Sequence, residues 1–266
     1  MDILTFDLDG CTTVAGRAGS GAPLVLIHGL GGSHEDFAPV ERSLSARFAL
    51  LMPDLPPFGG SACAGDWAPS MAGWARMVAD ACDRLAWSRV VVLGFSMGGA
   101  VAMQLARDYP RLVRGLILCS TSVAVNERGQ RFWLKYADAI EGEGAAAVRR
   151  FMEGTYTPGF LEAHREARER FERRVGRVRP EAYAAVVRSV FPYDYTETLR
   201  ALGAPLLAIA GSGDPLTPPA AARGIAALPA HAAAVEVPDA AHQLFEESPD
   251  RVVAEVGAFI DRLPEA

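Results

Sequence analysis

Residues 88–110 read SRVVVLGFSMGGAVAMQLARDYP, with Gly94-Phe95-Ser96-Met97-Gly98 at their centre. An uninterrupted β-branched run precedes the glycines, and an alanine-rich helical pattern follows them until Pro110 stops it. The stretch therefore predicts a strand, a sharp turn and a helix, with Ser96 on the turn. Such a turn holds the serine backbone in a strained conformation, so its hydroxyl stands clear of the sheet above the N-terminus of the helix. Glycines two residues before and two after remove β-carbons that would collide there, and Gly99 is expected to let the helix lie close to the strand. Ser96 is the candidate nucleophile. A glycine-rich turn that merely joins strand to helix is the plainer alternative.

Outward from this turn, short apolar runs alternate with amphipathic segments. Strands are expected at 23–28, 48–54, 112–120, 205–211 and 232–238, and helices near 34–46, 70–86, 218–228 and 249–263. Strand and helix in alternation give an α/β fold with a mostly parallel sheet covered on both faces. Ligands in such sheets gather at the carboxyl ends of the strands. The rhythm breaks between Ser122 and Leu202, a stretch far longer than the usual connection of about 2 to 6 residues and helical in its own right. It is expected to be an inserted helical cap, residues 122–202, on a catalytic body formed by 1–121 and 203–266. Within it, EAHREARERFERR sets Glu166 four before Arg170 and Glu169 four before Arg173, the ordering of ion pairs on a solvated helix face.

A serine hydroxyl needs a base to take its proton as it attacks. Of the five histidines, His242 in DAAHQLFEESPDRV follows the last expected strand, at the same sheet edge as Ser96. The others are assigned structural or exposed roles: His28 opens a glycine loop, His34 a helix, His164 is in the charged helix and His231 is at the opposite edge. The base in turn needs a carboxylate to fix its tautomer and stabilise the imidazolium. Asp214 in LLAIAGSGDPLTPP sits at that edge, whereas the preceding strand end, CSTSVAV, offers no carboxylate, and Asp239 is awkwardly close to His242 in sequence. Backbone N–H groups of Met97, at the helix N-terminus, and Leu30, in His28-Gly29-Leu30-Gly31-Gly32, are the candidate donors to a developing oxyanion.

Composition narrows the function classes. A 266-residue chain that is 50% hydrophobic suffices for one large domain with an insertion. The formal net charge of −6, without a basic stripe, argues against nucleic acid and anionic membranes as partners and leaves a small-molecule substrate. The start, MDILTFDLDG, has no secretory pattern, so a cytoplasmic location is expected. Cys11, Cys63, Cys82 and Cys119 show no C-x-x-C spacing, and free thiols are expected. No metal or cofactor motif is evident, so neither is expected; oligomeric state is left open.

The order serine, aspartate, histidine, with HGLGG before and GFSMGG at the turn, resembles the α/β-hydrolase fold family over nearly the whole sequence. GFSMGG followed by LILCSTS and DAAH is most similar to enol-lactone hydrolases and to cofactor-free esterases and haloperoxidase-like enzymes. The resemblance implies an α/β-hydrolase fold with a mostly parallel eight-stranded sheet, helices on both faces and a cap. It also implies hydrolysis of an ester or lactone through an acyl-serine, with Phe58 facing the pocket. Pro57 departs from the pattern, standing where relatives usually carry glycine. Trp133 and Tyr136 are candidate substrate contacts, although cap aromatics serve equally to pack the cap on the body. Arg149 and Arg150 are expected at the surface, and Glu246-Glu247 as a charge pair leading a helix. Two other functions compete: a non-hydrolytic cyclase, lyase or ligand receptor using the same pocket, and a magnesium-dependent phosphatase built on Asp7 and Asp9 of FDLDGCT. The latter lacks a suitably placed lysine and second aspartate cluster, and Asp9-Gly10 is better placed in a hairpin turn.

Overall fold

The computed structural model describes residues 1–8, 10–64 and 67–264. Among the described residues nine strands form one sheet: β1 (Asp2–Leu8), β2 (Cys11–Ala18), β3 (Ala22–Ile27), β4 (Phe48–Pro53), β5 (Ala62–Cys63), β6 (Val90–Phe95), β7 (Val113–Cys119), β8 (Leu206–Gly211) and β9 (Ala232–Val237). The order is β1-β2-β4-β3-β6-β7-β8-β9, with β5 on β2. β1, β2 and β5 pair antiparallel, and from β4 to β9 the pairing is parallel. The expected count of eight is thus corrected to nine. The extra strand has two residues, too few to show any alternation.

The central strands β4, β6 and β8 are buried at every residue, which is why they read as continuous apolar runs. Within β3 the faces alternate: Val25 and Ile27 join one apolar cluster, Leu24 and Leu26 the other. The first cluster is closed by α2 (Met71–Arg84) and α3 (Met97–Asp108). The second is closed by α1 (Ala38–Ser45), reached through a 3-10 turn at His34–Phe37, and by the last helix of the chain.

Between β7 and β8 stand six helices: α4 (Glu127–Glu143), α5 (Ala145–Glu153), α6 (Phe160–Ala163), α7 (Arg165–Gly176), α8 (Pro180–Val190) and α9 (Thr196–Arg200). After β8 come α10 (Pro219–Ala226), α11 (Leu244–Glu247) and α12 (Pro249–Asp261). Buried side chains of the inserted helices, among them Ile140, Val148, Phe171 and Val187, belong to the same apolar cluster as α2 and α3. The helices between β7 and β8 therefore share that cluster and are packed on the sheet's helical layer.

The cysteine expectation is corrected in part. Cys11 and Cys63 face each other across the β2–β5 pairing, with Cα atoms 4.0 Å apart, and form a disulfide. They are 52 residues apart in sequence, so no local spacing announces them. Cys82 and Cys119 are free and buried, and burial pushes the Cys82 thiol up to about 12.

Candidate active site

Ser96 sits between β6 and α3 at φ 53° and ψ −118°, in the region L-residues rarely adopt. Its N–H donates to the Cys119 carbonyl at 2.9 Å, and its own carbonyl accepts from Gly99 N–H and from the Thr121 hydroxyl. A β-carbon at Gly98 would collide with the Ile27 carbonyl of β3, and one at Gly94 with the Gly98 backbone. Gly98, rather than Gly99, is therefore what lets the helix approach a strand; Gly99 makes room for the Thr121 side chain.

His242 lies on the loop after β9, with its ring against Phe95. Its Nε2 is 3.0 Å from the Ser96 hydroxyl oxygen, and its Nδ1 is 2.8 Å from Asp214 Oδ2. An ionised carboxylate only accepts, so Nδ1 carries the hydrogen and Nε2 presents a lone pair to Ser96. Asp214 is held on all sides. Its Oδ1 accepts from Leu216 N–H at 2.8 Å and Thr217 N–H at 2.9 Å, and its Oδ2 also takes the Thr217 hydroxyl at 2.7 Å. Burial alone would raise the Asp214 pKa, but the His242 and Thr217 hydrogen bonds outweigh it and hold the carboxyl below its ordinary value. Sequence patterns did not single out Thr217. The Asx-type turn after Asp214 is the signal that could have done so. Asp239 is exposed and takes no part in this line.

Met97 begins α3, so its N–H has no acceptor within the helix. The Leu30 loop lies alongside: a β-carbon at Gly29 would come within 3.2 Å of both Phe95 and the Ser96 side chain. Gly31, at φ +70°, turns the loop where Tyr183 leaves no space for a side chain.

His28 and His34 support this loop from below. His28 is fully buried, donates from Nδ1 to the Gly29 carbonyl at 2.7 Å, and accepts Leu55 N–H at Nε2 at 2.8 Å. Burial lowers its pKa below 6.5. His34 is bonded instead to the buried Asp54, 2.8 Å away, and that bond raises its pKa above 6.5. The Asp54 carboxyl is lowered in turn: burial opposes the shift, but the bonds from His34 and Gly60 N–H prevail. The pair's stabilisation is therefore complete below pH 6.5 on the His34 side and is lost as pH rises through the raised pKa. On the Asp54 side it is lost as pH falls through the lowered one. Titration of the ring protons by NMR should place His34 above and His28 below 6.5; a reversed order would contradict these environments.

Two cavities meet at the site. A small one of about 30 Å³ touches Ser96, His242, Leu30 and Trp133. A larger one of about 480 Å³ opens beside it and is lined by Phe58, Pro57 and the arginine-bearing face of α7. Phe58 thus reaches the outer cavity and Trp133 the inner one. Tyr136 reaches neither: its ring is packed against Phe151 at 4.3 Å, between Trp133 and Tyr183, with its hydroxyl buried. The stretch of α4 that brings Trp133 to the inner cavity turns Tyr136 into the helix interface, beside a separate shallow cavity lined by Phe132, Lys135 and Arg150.

The α7 face expected to be solvated is exposed at Glu166, Glu169 and Arg173, and Arg170 alone turns inward. Arg170 leaves Glu166 at 3.9 Å and takes Glu246 in two short bonds of 2.8 and 2.5 Å. Glu247 accepts Thr157 N–H at 2.6 Å and Ala241 N–H at 2.7 Å, while His242 N–H donates to the Thr155 carbonyl. The loop that carries the histidine is therefore stitched to residues 155–157, between α5 and α6. Arg149 and Arg150 are at the surface, paired with Glu172 and Glu143.

Among the described residues, no group of three or more side chains suited to a metal is present, and no helix is long and apolar enough to cross a membrane. Asp7 is exposed near the end of the edge strand β1, four strands across the sheet from β6 and Ser96, and Asp9 lies outside the described residues.

The profile of the family described as alpha/beta hydrolase fold matches residues 22–249. Over 251 residues the chain is 30% identical to a pimeloyl-[acyl-carrier protein] methyl ester esterase of Edwardsiella ictaluri, covering 90% of this chain and 93% of the relative. An esterase of Thermogutta terrifontis superposes with a TM-score of 0.90 at 25% identity, covering 99% of both chains. An enol-lactonase of Burkholderia xenovorans LB400 does so with a TM-score of 0.89, over 97% of this chain and 100% of that one. Its 23% identity speaks to the fold alone. A 104-residue stretch, 39% of the chain, is 40% identical to an uncharacterized protein of Mycobacterium tuberculosis, of which the chain spans only 30%.

Proposed function

The chain belongs to the α/β-hydrolase family, and we propose that it cleaves a carboxylic ester or lactone of a small molecule through an acyl-serine on Ser96. The 3.0 Å contact between the Ser96 hydroxyl and His242 Nε2, in line with the 2.8 Å contact to Asp214, carries the proposal. That geometry is within reach for direct proton transfer.

In the first half-reaction Ser96 Oγ attacks the ester carbonyl as its proton passes to His242 Nε2. The resulting imidazolium is stabilised by Asp214 through Nδ1–H. Negative charge collects on the former carbonyl oxygen, where Leu30 and Met97 N–H donate. Losing one such donor costs about 3 to 4 kcal/mol in the transition state. The tetrahedral species collapses, the C–O bond to the alcohol breaks, and His242 returns the proton to the leaving oxygen. Water then repeats the sequence on the acyl-serine, releasing the acid and restoring the Ser96 hydroxyl.

The inner pocket of about 30 Å³ has room for little more than the reacting carbonyl, so the bulk of a substrate is accommodated by the adjoining 480 Å³ cavity. In this scheme residues 122–202 act as the cap over both.

A panel of short-chain esters, thioesters and lactones, assayed with wild type and Ser96→Ala, tests the proposal. Turnover of at least one member by wild type alone is expected, together with labelling of Ser96 by a fluorophosphonate. Labelling without cleavage of any member would replace hydrolysis by a cyclase, lyase or receptor function for the same pocket.

A further inference from the structure

Arg174 of α7 lines both cavities, and among the described residues around the inner one it alone carries a permanent charge. The rest of that pocket is largely apolar: Trp133, Phe151, Met152 and Leu216 surround the approach to Ser96. A cation here needs a reason, because taking a charge out of water costs several kcal/mol unless short, well-aligned partners replace the water.

Its partners within the chain are poor. Nε reaches the Gly31 carbonyl at 3.4 Å and Nη2 the Leu30 carbonyl at 3.3 Å. Asp36 Oδ2 is 3.4 Å from Nη2, yet that buried oxygen accepts no hydrogen bond. Nη1 meets no acceptor among the described residues and keeps the little solvent access of a side chain that is 15% exposed. Neighbouring arginines contrast with it: Arg170 holds Glu246 at 2.5 and 2.8 Å, and Arg177 holds Glu35 at 2.9 Å. A guanidinium has five donors in a planar fork suited to a carboxylate. At Arg174 much of that capacity is unused, beside the Ser96 pocket.

The surroundings favour an anion as well. The chain carries a net charge of −6, yet the larger cavity is lined by five arginines against three acidic side chains. Arg173 has no acidic partner among the described residues, and Arg179 bonds only the Pro57 carbonyl. A cleft of one sign with low-dielectric walls concentrates ligands of the opposite sign.

We propose that Arg174 determines specificity by binding a carboxylate on the substrate, so that the preferred ester is the monoester of a short dicarboxylic acid. The inference rests on the ester hydrolysis proposed above. The free carboxylate supplies the short, charge-assisted acceptors that Arg174 lacks, and this contact fixes the distance from the charged end to the carbonyl facing Ser96.

Monomethyl succinate and methyl butyrate are a suitable pair, nearly equal in size and different in charge. Wild type is expected to favour the anionic ester at least tenfold in kcat/KM. Arg174→Gln should bring that ratio to about one, chiefly through a higher KM for the anion, and Arg174→Lys should restore part of it. Because the side chain also touches the Leu30 loop, kcat is expected to fall on both esters, so the ratio is the readout. A ratio unchanged in Arg174→Gln would overturn the proposal and leave the residue as a prop for the loop. Should that variant not fold, calorimetry on Ser96→Ala reads the same question: monomethyl succinate should bind at least tenfold more tightly than methyl butyrate, and equal binding sinks the anchor. Absence of turnover by wild type on any ester, with anion binding intact, would count against hydrolysis alone.

Discussion

Ser96→Ala is expected to lower kcat by about 10⁴ to 10⁶, with the melting temperature close to that of wild type. The hydroxyl is the sole atom lost, and the elements that hold the turn remain: Ser96 N–H to the Cys119 carbonyl and the Thr121 hydroxyl to the Ser96 carbonyl are main-chain contacts of residue 96. In the proposed mechanism the variant forms no acyl-enzyme, and substrate binding and the N–H groups of Leu30 and Met97 supply whatever rate remains. His242→Ala should fall in the same range, since an unassisted hydroxyl is a poor nucleophile at neutral pH. The double variant should be little worse than either single one, because nucleophile and base act as one unit. Steady-state kinetics on purified proteins decide the matter, and near-wild-type turnover in either variant would remove these residues from the chemistry.

Asp214→Asn should cost about 10⁴ in kcat with the fold intact. The hydrogen bonds around residue 214 determine why. Oδ1 accepts two backbone N–H groups, from Leu216 and Thr217, so an asparagine must place its carbonyl oxygen there. Its NH₂ then occupies the position of Oδ2, facing His242 Nδ1 at what was a 2.8 Å contact. A donor facing a donor is repulsive, so the imidazole shifts its hydrogen to Nε2 and no longer accepts the Ser96 proton. Thr217 can rotate its hydroxyl to accept from the new amide, which keeps the loop in place. The variant should also lose an acid-dependent contribution to stability. In wild type the lowered Asp214 pKa stabilises the fold above the ordinary carboxylate value and is lost as pH falls through the lowered one. Unchanged turnover in Asp214→Asn would place the carboxylate elsewhere.

Much of this site was legible in the sequence because its parts are local. Each of Ser96, Asp214 and His242 follows an apolar run that forms β6, β8 or β9, and parallel strands put all their carboxyl ends at one edge. Side-chain periodicity cannot report what lies across the fold. The Cys11–Cys63 pair is made by strand register over 52 residues, and the two-residue β5 has no period. Arg170 and Arg174 have the spacing of a solvated helix, and only the docking of α7 turns them toward Glu246 and the Leu30 loop. Tyr136 and Trp133 share a helix and a composition, yet they divide between packing and pocket on a rotation that no pattern of α4 specifies.

The stitching of the histidine loop to residues 155–157 constrains how substrate can enter. His242 N–H, Gln243 Nε2 and Glu247 Oε1 are engaged along that seam, with Thr155 and Thr157 on the far side, while Glu247 Oε2 holds Ala241 N–H of the histidine loop itself. Swinging this part of the insertion outward would drag the base off Ser96 and disarm the enzyme while the door stood open. The arginine-lined cavity between α7 and the Phe58 loop borders this seam at Tyr156, Gln243 and Glu246, and it offers a way to Ser96 that leaves the seam closed.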